Sequence, residues 1–283
     1  MQRLRIQHVT EYLFPTQVTL NTHHLLLRPR EGHDVRIESS KLVITPKYNI
    51  KWQRDVFDNS LAVVNFLERT DRLSIASEVV IQHYDQAPFD FLIDDYAVNY
   101  PFTYALSEQV DLAAFQQMLF YQDRQMINEW LLQLEVYGMQ TFSMLMRINL
   151  AINNQFRYQM REEAGVQSPA QTLSQRSGSC RDYATLFIEA CRCLGLASRF
   201  VSGYLHAPAT EFGNASTHAW VEVYLPGTGW KGFDPTAGEV TGNHHIAVAV
   251  ASNPQAVPPV SGSYTGTGFI TPTMLVNVQV NLL

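Results

Sequence analysis

The sequence predicts an α+β fold, with an antiparallel β-sandwich-like domain at the N-terminus and a mixed core behind it. Three observations predict this. Short alternating stretches fill the first part of the chain, apolar residues at helical spacing follow, and one long apolar helix then precedes further strands. We expect a β-rich domain at residues 1–100 and a core at 101–283, with a helical lead-in at 108–160.

The N-terminal strands are predicted from alternation with a period of two. Residues 4–9 and 75–81 alternate between apolar and polar side chains, and residues 37–44 do so in part. Turn residues separate these stretches, among them Glu31-Gly32-His33-Asp34 and Asp58-Asn59-Ser60. Short strands divided by such turns are typical of an antiparallel sandwich.

Helical spacing begins near Asp111. Apolar residues at 112–115 and 130–134 lie among polar ones, and Gly138 then interrupts the pattern. Residues 144–156 have the spacing of an amphipathic helix. These segments form the predicted lead-in to the core.

The last part of the chain predicts a buried helix and an antiparallel sheet. The helix begins at Cys180, ends near Leu194 and is apolar almost all round, and Gly195 is a natural C-terminal cap. The turn residues at 226–229 make the second and third strands after the helix a hairpin. The strands are expected at 198–206, 217–225, 229–235 and 274–280.

Composition narrows the class of protein. The net charge is −6 without a basic cluster, which argues against nucleic acid as the main partner. No apolar run approaches the ~20 residues of a membrane-spanning helix, so we expect no membrane partner. The first residues contain no apolar stretch of the signal-peptide type. We therefore expect a cytoplasmic protein, in which three cysteines would be free thiols.

The cysteines do not predict a metal site. Cys191 and Cys193 are two residues apart on the predicted helix, so their side chains point about 200° away from each other. Cys180 faces the same way as Cys191 but lies about 16 Å from it along the helix axis. We interpret the two later cysteines as small core residues and expect neither a metal nor another cofactor.

Cys180 is the candidate nucleophile. It follows Ser177-Gly178-Ser179 at the start of the helix, where unpaired N–H groups and the helix dipole favour a thiolate. Its own N–H is placed to donate to an oxyanion. Taken alone, a cysteine at this position could equally be a small residue of the core.

His218 and Asp234 are the candidate base and the group that orients it. Either residue alone has an ordinary explanation, because a histidine at a strand start is often a surface residue and Asp before Pro235 is common in turns. The length of the hairpin connection decides whether the two residues can act together. If its connection has an odd number of residues, so that Trp220 lies opposite Asp234, the imidazole and carboxylate share a face. An even connection would place them on opposite faces.

Five motifs stand out along the chain. They are Arg28-Pro29-Arg30, Asp55-Val56-Phe57-Asp58-Asn59, Gly178-Ser179-Cys180-Arg181-Asp182-Tyr183-Ala184, His218-Ala219-Trp220-Val221-Glu222-Val223 and Phe233-Asp234-Pro235-Thr236. Together they resemble the bacterial transglutaminase-like superfamily. The N-terminal region is similar to the β-rich domain that often precedes this core in bacteria, although Asp58 stands where glycine is usual.

The resemblance implies a papain-like transglutaminase core, in which a central helix carries the nucleophile and packs on an antiparallel sheet. It implies Cys180 as nucleophile, His218 as general base and acid, and Asp234 as the residue that orients the histidine. The expected substrate is a peptide or protein, attacked at an amide or peptide bond through a thioester. We expect a peptidase or amidase first, a protein-glutamine acyltransferase second, and a retired interaction module as the alternative from another class.

Overall fold

The computed structural model describes residues 1–84, 88–161, 163–206, 217–268 and 270–283. The fold is α+β, as predicted. Its helices are α1 (Leu106–Gln116), α2 (Arg124–Gln133), α3 (Thr141–Gln155), α4 (Pro169–Gln175) and α5 (Cys180–Cys193). The strands are β1 (Gln2–Leu20), β2 (His23–Leu25), β3 (Val35–Thr45), β4 (Tyr48–Arg54), β5 (Ser60–Phe66), β6 (Thr70–His83), β7 (Arg157–Tyr158), β8 (Ser177–Gly178), β9 (Ser198–Leu205), β10 (Thr217–Leu225), β11 (Gly229–Asp234), β12 (Glu239–Val240), β13 (His245–Ala251), β14 (Val260–Ser261), β15 (Tyr264–Thr265) and β16 (Thr273–Leu282).

The N-terminal strands form a sandwich of two antiparallel sheets. One sheet has the order β15-β1-β6-β3, with β16 also paired to β1, and the other has the order β14-β2-β5-β4. Apolar residues at alternate positions of both sheets are buried in one cluster, and their transfer from water stabilises the sandwich. Members of this cluster are Phe14, Ile44, Val64 and Leu73.

The end of the chain completes the N-terminal sheets. β16 pairs antiparallel with β1 from Leu4↔Leu282 to Leu13↔Thr273, and β14 pairs with β2. The strand predicted at 274–280 is therefore present, but it hydrogen-bonds to the β-rich region and not to the core sheet. The predicted domain boundary at residue 100 stays a prediction. In the structure, the sheets of the β-rich region contain strands from both ends of the chain.

The core sheet has the order β12-β11-β10-β9-β13, and every pairing in it is antiparallel. One face of β10 is apolar and buried, and it packs on α5. Phe187 of α5 stacks on Phe233 of β11 with the ring centroids 5.7 Å apart. Burying such a ring fully contributes about 1.5–3 kcal/mol. The residues of the β10 face are Ala219, Val221, Val223 and Leu225.

Helix α5 is buried along its whole length, as its composition predicts. It ends where expected, because Gly195 adopts φ +79° and Leu196 N–H donates to the Cys191 carbonyl at 2.8 Å. Two buried charges near its C-terminal end are paired, with Arg192 Nη1 lying 2.9 Å from Glu189 Oε1. Removing one partner would leave an uncompensated buried charge, which typically costs about 3–5 kcal/mol.

Polar contacts join the β-rich region to the core sheet. The buried Asn59 side chain donates to the Val250 carbonyl at 2.8 Å and accepts from the Val250 N–H at 2.9 Å. His8 Nδ1 lies 3.0 Å from the hydroxyl of Tyr204 on β9. Burial lowers the pKa of His8 to about 4. The core sheet is thus held against the β-rich region by hydrogen bonds as well as by apolar packing.

The sequence did not predict strand β13. Its seven residues are mostly buried and carry no alternation that would separate a strand from a buried helix. In the part of the chain that the structure describes, no helix is both long enough and apolar enough to cross a bilayer.

Candidate active site

Cys180 is the first residue of α5 and is buried. Ser179 caps the helix in an extended conformation, with φ −88° and ψ 175°. The N–H of Cys180 belongs to the first helical turn, which has no preceding turn to bond to, so it is available to a ligand. Gly178 has no room for a side chain, because a Cβ there would lie 2.8 Å from the Asp182 Cβ.

Asp182 holds the turn that presents Cys180. Its Oδ2 accepts from the Ser179 N–H and the Ser179 hydroxyl, both at 2.8 Å. Its Oδ1 accepts from Arg161 Nη1 at 2.8 Å and from the Gln167 N–H at 2.7 Å. A fully buried carboxylate with four donors fixes both the helix start and the preceding loop.

The connection between β10 and β11 has an odd number of residues. Leu225 pairs with Gly229, so the three residues 226–228 form the turn, and the ladder continues to Val221↔Phe233. The next position in this register places Trp220 opposite Asp234, so that His218 and Asp234 share a face. His218 Nε2 lies 2.7 Å from Asp234 Oδ2.

Four donors surround the Asp234 carboxylate. Its Oδ1 accepts from the N–H groups of Thr236 and Ala237 at 2.9 and 3.4 Å. Its Oδ2 is shared by His218 Nε2 and by His245 Nε2, which lies at 3.1 Å. Burial alone would raise the pKa of Asp234, but the charge of His218 and the hydrogen bonds from both histidines hold it well below its ordinary value.

His218 is held between the carboxylate and the thiol. Burial would lower its pKa, but the charge and hydrogen bond of Asp234 outweigh that effect, and a hydrogen bond with Cys180 adds to them. Together they raise the pKa of His218 to about 10. Because Nε2 faces Asp234, Nδ1 is the ring nitrogen left for the sulfur of Cys180.

Tyr158 is a further neighbour of the thiol. It lies on β7, which pairs in parallel with β8 so that Tyr158 is opposite Gly178. Burial, followed by the charge of Cys180 and a hydrogen bond with its side chain, raises the pKa of Tyr158 to about 12. The phenol therefore keeps its proton at neutral pH and can donate it in a hydrogen bond.

The three residues that the sequence singled out thus lie together, and three others join them. Asp182 was visible inside the cysteine motif, where a carboxylate three residues after Ser179 is the signature of a capping box. Tyr158 and His245 carried no local signal, because each reaches the site through strand pairing.

A metal ion could be held by nitrogen and oxygen atoms of the same site. Among the described residues, His218, Asp234 and His245 offer ligand atoms that lie within 4.8 Å of one another. Both oxygens of Asp234 already accept hydrogen bonds, so an ion would have to displace protons from two buried rings.

Two parts of the chain match known protein families. Residues 134–235, which include Cys180, His218 and Asp234, match the transglutaminase-like superfamily. Residues 4–82 match the bacterial transglutaminase-like N-terminal region. The chain thus contains a transglutaminase-like core behind a bacterial transglutaminase-like N-terminal region.

Similar proteins have been found in several bacteria. An uncharacterized protein of Mycobacterium leprae is 34% identical over 100 residues, which are 34% of this chain and 35% of that protein. A protein-glutamine gamma-glutamyltransferase of Pseudomonas aeruginosa is 37% identical over 67 residues, which are 22% of this chain and 10% of that enzyme. The match thus spans about a third or less of the length of these curated relatives.

A solved structure shares the whole fold. The crystal structure of a candidate cysteine protease from Cytophaga hutchinsonii superposes with a TM-score of 0.78 and covers 100% of this chain and 91% of that one. The two sequences are 19% identical, so the comparison shows the fold alone.

The N-terminal motifs of this transglutaminase-like protein have structural roles. Arg30 donates to the Phe57 carbonyl at 3.0 Å and to Asn59 Oδ1 at 2.8 Å, and Asp55 accepts from the Asn59 side chain at 2.8 Å. Asp58 adopts φ +61°, a left-handed conformation that aspartate tolerates better than most residues. This explains how it stands where glycine is usual in the superfamily.

Proposed function

We propose that this protein is a cysteine enzyme that acts on amide or peptide bonds through a thioester on Cys180. His218 serves as general acid and base, and Asp234 orients the imidazole. The observation that carries the proposal is the buried His218–Asp234 pair, 2.7 Å apart, whose histidine also hydrogen-bonds to a cysteine at a helix start.

In the first step, the Cys180 thiolate attacks the carbonyl carbon, and the electron pair of the C=O bond moves to oxygen. The N–H of Cys180 donates to that oxyanion, and we propose the hydroxyl of Tyr158, which hydrogen-bonds to Cys180, as a second donor. When the tetrahedral intermediate collapses, the C–N bond breaks and His218 gives its Nδ1 proton to the leaving amine. The products of this step are a free amine and a thioester.

In the second step, neutral His218 takes a proton from the incoming nucleophile. The nucleophile attacks the thioester carbonyl, the C–S bond breaks, and the thiolate–imidazolium pair is restored. Water would release a carboxylic acid, and an amine would form a new amide. Asp234 remains ionised in both steps, since four donors stabilise its charge.

We propose hydrolysis by a peptidase or amidase as the first reaction. Acyl transfer from glutamine to an amine is the second candidate, which is supported by the short match to a protein-glutamine gamma-glutamyltransferase. The two differ in the nucleophile that resolves the thioester, which is water in the first and an amine in the second, so products discriminate between them. A retired interaction module would form no thioester at all.

Intact-mass spectrometry tests the proposal. The protein is mixed with peptides that contain glutamine, asparagine or ordinary peptide bonds, with and without a primary amine, and quenched in acid. We expect an added acyl mass on wild type that is absent in Cys180→Ala and strongly reduced in His218→Ala. Cys191→Ala is the matched control and should keep the adduct. If no peptide gives an adduct or a product, with or without an amine, the protein is a retired interaction module and not an enzyme.

A further inference from the structure

His245 is a buried histidine at the start of β13, in contact with the proposed active site. Its Nε2 lies 3.1 Å from Asp234 Oδ2, the same oxygen that faces His218. β13 is three places from β11 in the core sheet, so this contact is made across two intervening strands. One carboxylate oxygen therefore accepts hydrogen bonds from two imidazole rings.

The ring of His245 is held by its own turn. Its Nδ1 accepts from the Gly242 N–H at 3.4 Å, and its backbone N–H donates to the Gly242 carbonyl at 3.0 Å. A nitrogen that accepts carries no proton in the neutral ring, so the proton lies on Nε2 and points at Asp234. The ring also packs edge-on against Trp220, with centroids 5.2 Å apart.

Gly203 makes room for this packing. It lies between His218 and Ala247 in the sheet, paired to both. A Cβ at Gly203 would collide with the ring of Trp220 and with the Ile246 carbonyl. The absence of a side chain at this position makes room for the Trp220 ring, which packs against His245.

We infer that His245 is a positioning residue for the His218–Asp234 pair, an inference that rests on the proposed function. The titratable groups that face His218 are Cys180 on α5, Asp234 on β11 and His245 on β13, with Tyr158 of β7 beyond the thiol. Of these, His245 acts only through Asp234. Its Nε2–H fixes the direction of Oδ2 and takes up part of the carboxylate charge.

This second donor has a chemical consequence. With His245 in place, Oδ2 binds the His218 imidazolium less tightly than a carboxylate oxygen with one donor would, so His218 can release its Nδ1 proton to the leaving amine. Without it, the bond between Oδ2 and His218 strengthens and the carboxylate is free to tilt. Proton transfer to the amine should then slow, whereas substrate binding should not change.

Two variants and a control test this role. His245→Phe keeps a ring against Trp220 but removes the donor, and His245→Gln restores an amide donor. His244→Phe is the control, because His244 is the exposed neighbouring histidine. Each protein is first checked by circular dichroism and thermal unfolding. Acylation is then measured in single turnovers with a peptide that labels wild type, and the proton on His218 Nε2 is observed by NMR of ¹⁵N-histidine-labelled protein.

We expect His245→Phe to slow maximal acylation by about tenfold or more with the half-saturating peptide concentration unchanged. The His218 Nε2 proton should move downfield, and His245→Gln should return both readouts toward wild type. A folded His245→Phe protein with the rate and proton shift of wild type would overturn the inference, as would equal defects in both variants with no proton shift. If wild type forms no acyl-enzyme, the proposed function fails, and the NMR comparison still decides the role of His245.

Discussion

His218 Nε2 and Asp234 Oδ2 lie 2.7 Å apart on neighbouring antiparallel strands joined by a turn of three residues. With one residue more or fewer between the strands in the same pairing, the two side chains would lie on opposite faces of the sheet. The length of this turn is therefore as necessary to the site as the residues themselves.

Asp234→Asn tests the role of the carboxylate. The amide keeps the shape but removes the charge that holds His218 protonated and oriented, so we expect acylation of Cys180 to slow by about 10⁴-fold. Single-turnover mass spectrometry measures the rate. Glu239→Gln removes an exposed carboxylate on the adjoining strand and should leave the rate unchanged. An Asp234→Asn protein within tenfold of wild type would remove Asp234 from the mechanism.

The His218–Asp234 pair also predicts how stability depends on pH. The pKa of His218 rises from 6.5 to about 10 on folding, so its contribution is complete below pH 6.5 and is lost as the pH rises toward 10. The pKa of Asp234 falls from 3.8, so its contribution is complete above pH 3.8 and is lost in more acidic solution. The free energy of unfolding from this pair should therefore be largest between about pH 4 and 6.5.

Urea denaturation of wild type and His218→Phe across pH 4–10 measures this contribution. The difference in the free energy of unfolding between the two proteins should shrink as the pH rises from 6.5 to 10, because wild type loses the pair and the variant never had it. A difference that stays constant over this range would contradict the assignment.

Tyr158→Phe tests the second oxyanion donor. Loss of one such donor typically lowers the rate by about 10²–10³-fold, and we expect a loss of this order in acylation with the fold unchanged. Tyr137→Phe removes the hydroxyl of a half-exposed tyrosine that bonds to Asn128, and it should behave as wild type. If Tyr158→Phe acylates at the wild-type rate, its hydroxyl merely contacts the resting thiol.

Gly178→Ala tests the packing behind the nucleophile. The added methyl group would lie 2.8 Å from the Asp182 Cβ, so the turn before Cys180 must shift. We expect a loss of about 1–3 kcal/mol in the free energy of unfolding. At Gly242 an added Cβ would meet only Pro88, at 4.0 Å, so Gly242→Ala is the matched control for a denaturant titration. Equal stability of the two variants would contradict the clash.

The sequence predicted those parts of the fold that local patterns determine. Alternation located β10 at 217–225, helical composition located α5, and Gly195 marked its end. The shared face of His218 and Asp234 depended on one condition, an odd number of residues in the turn. The three-residue turn meets that condition. These features depend on neighbouring residues, which is why one sequence suffices to predict them.

Features set by distant pairing could not be predicted in the same way. β13 is a short apolar run without alternation, and its pairing with β9 brings His245 to Asp234. Tyr158 reaches Cys180 through the pairing of β7 with β8, whose paired residues are 20 apart in the sequence. Both require knowledge of which strands pair, and no local pattern contains it.

The pairing of β16 with β1 affects the order in which the protein can fold. β1 is synthesised well before β16, so one of its edges finds its partner only after residue 282 has been made. The β-rich region therefore begins synthesis with an open edge that a chaperone or another chain could occupy. Contacts between residues so far apart in the sequence also predict slow folding of the sandwich.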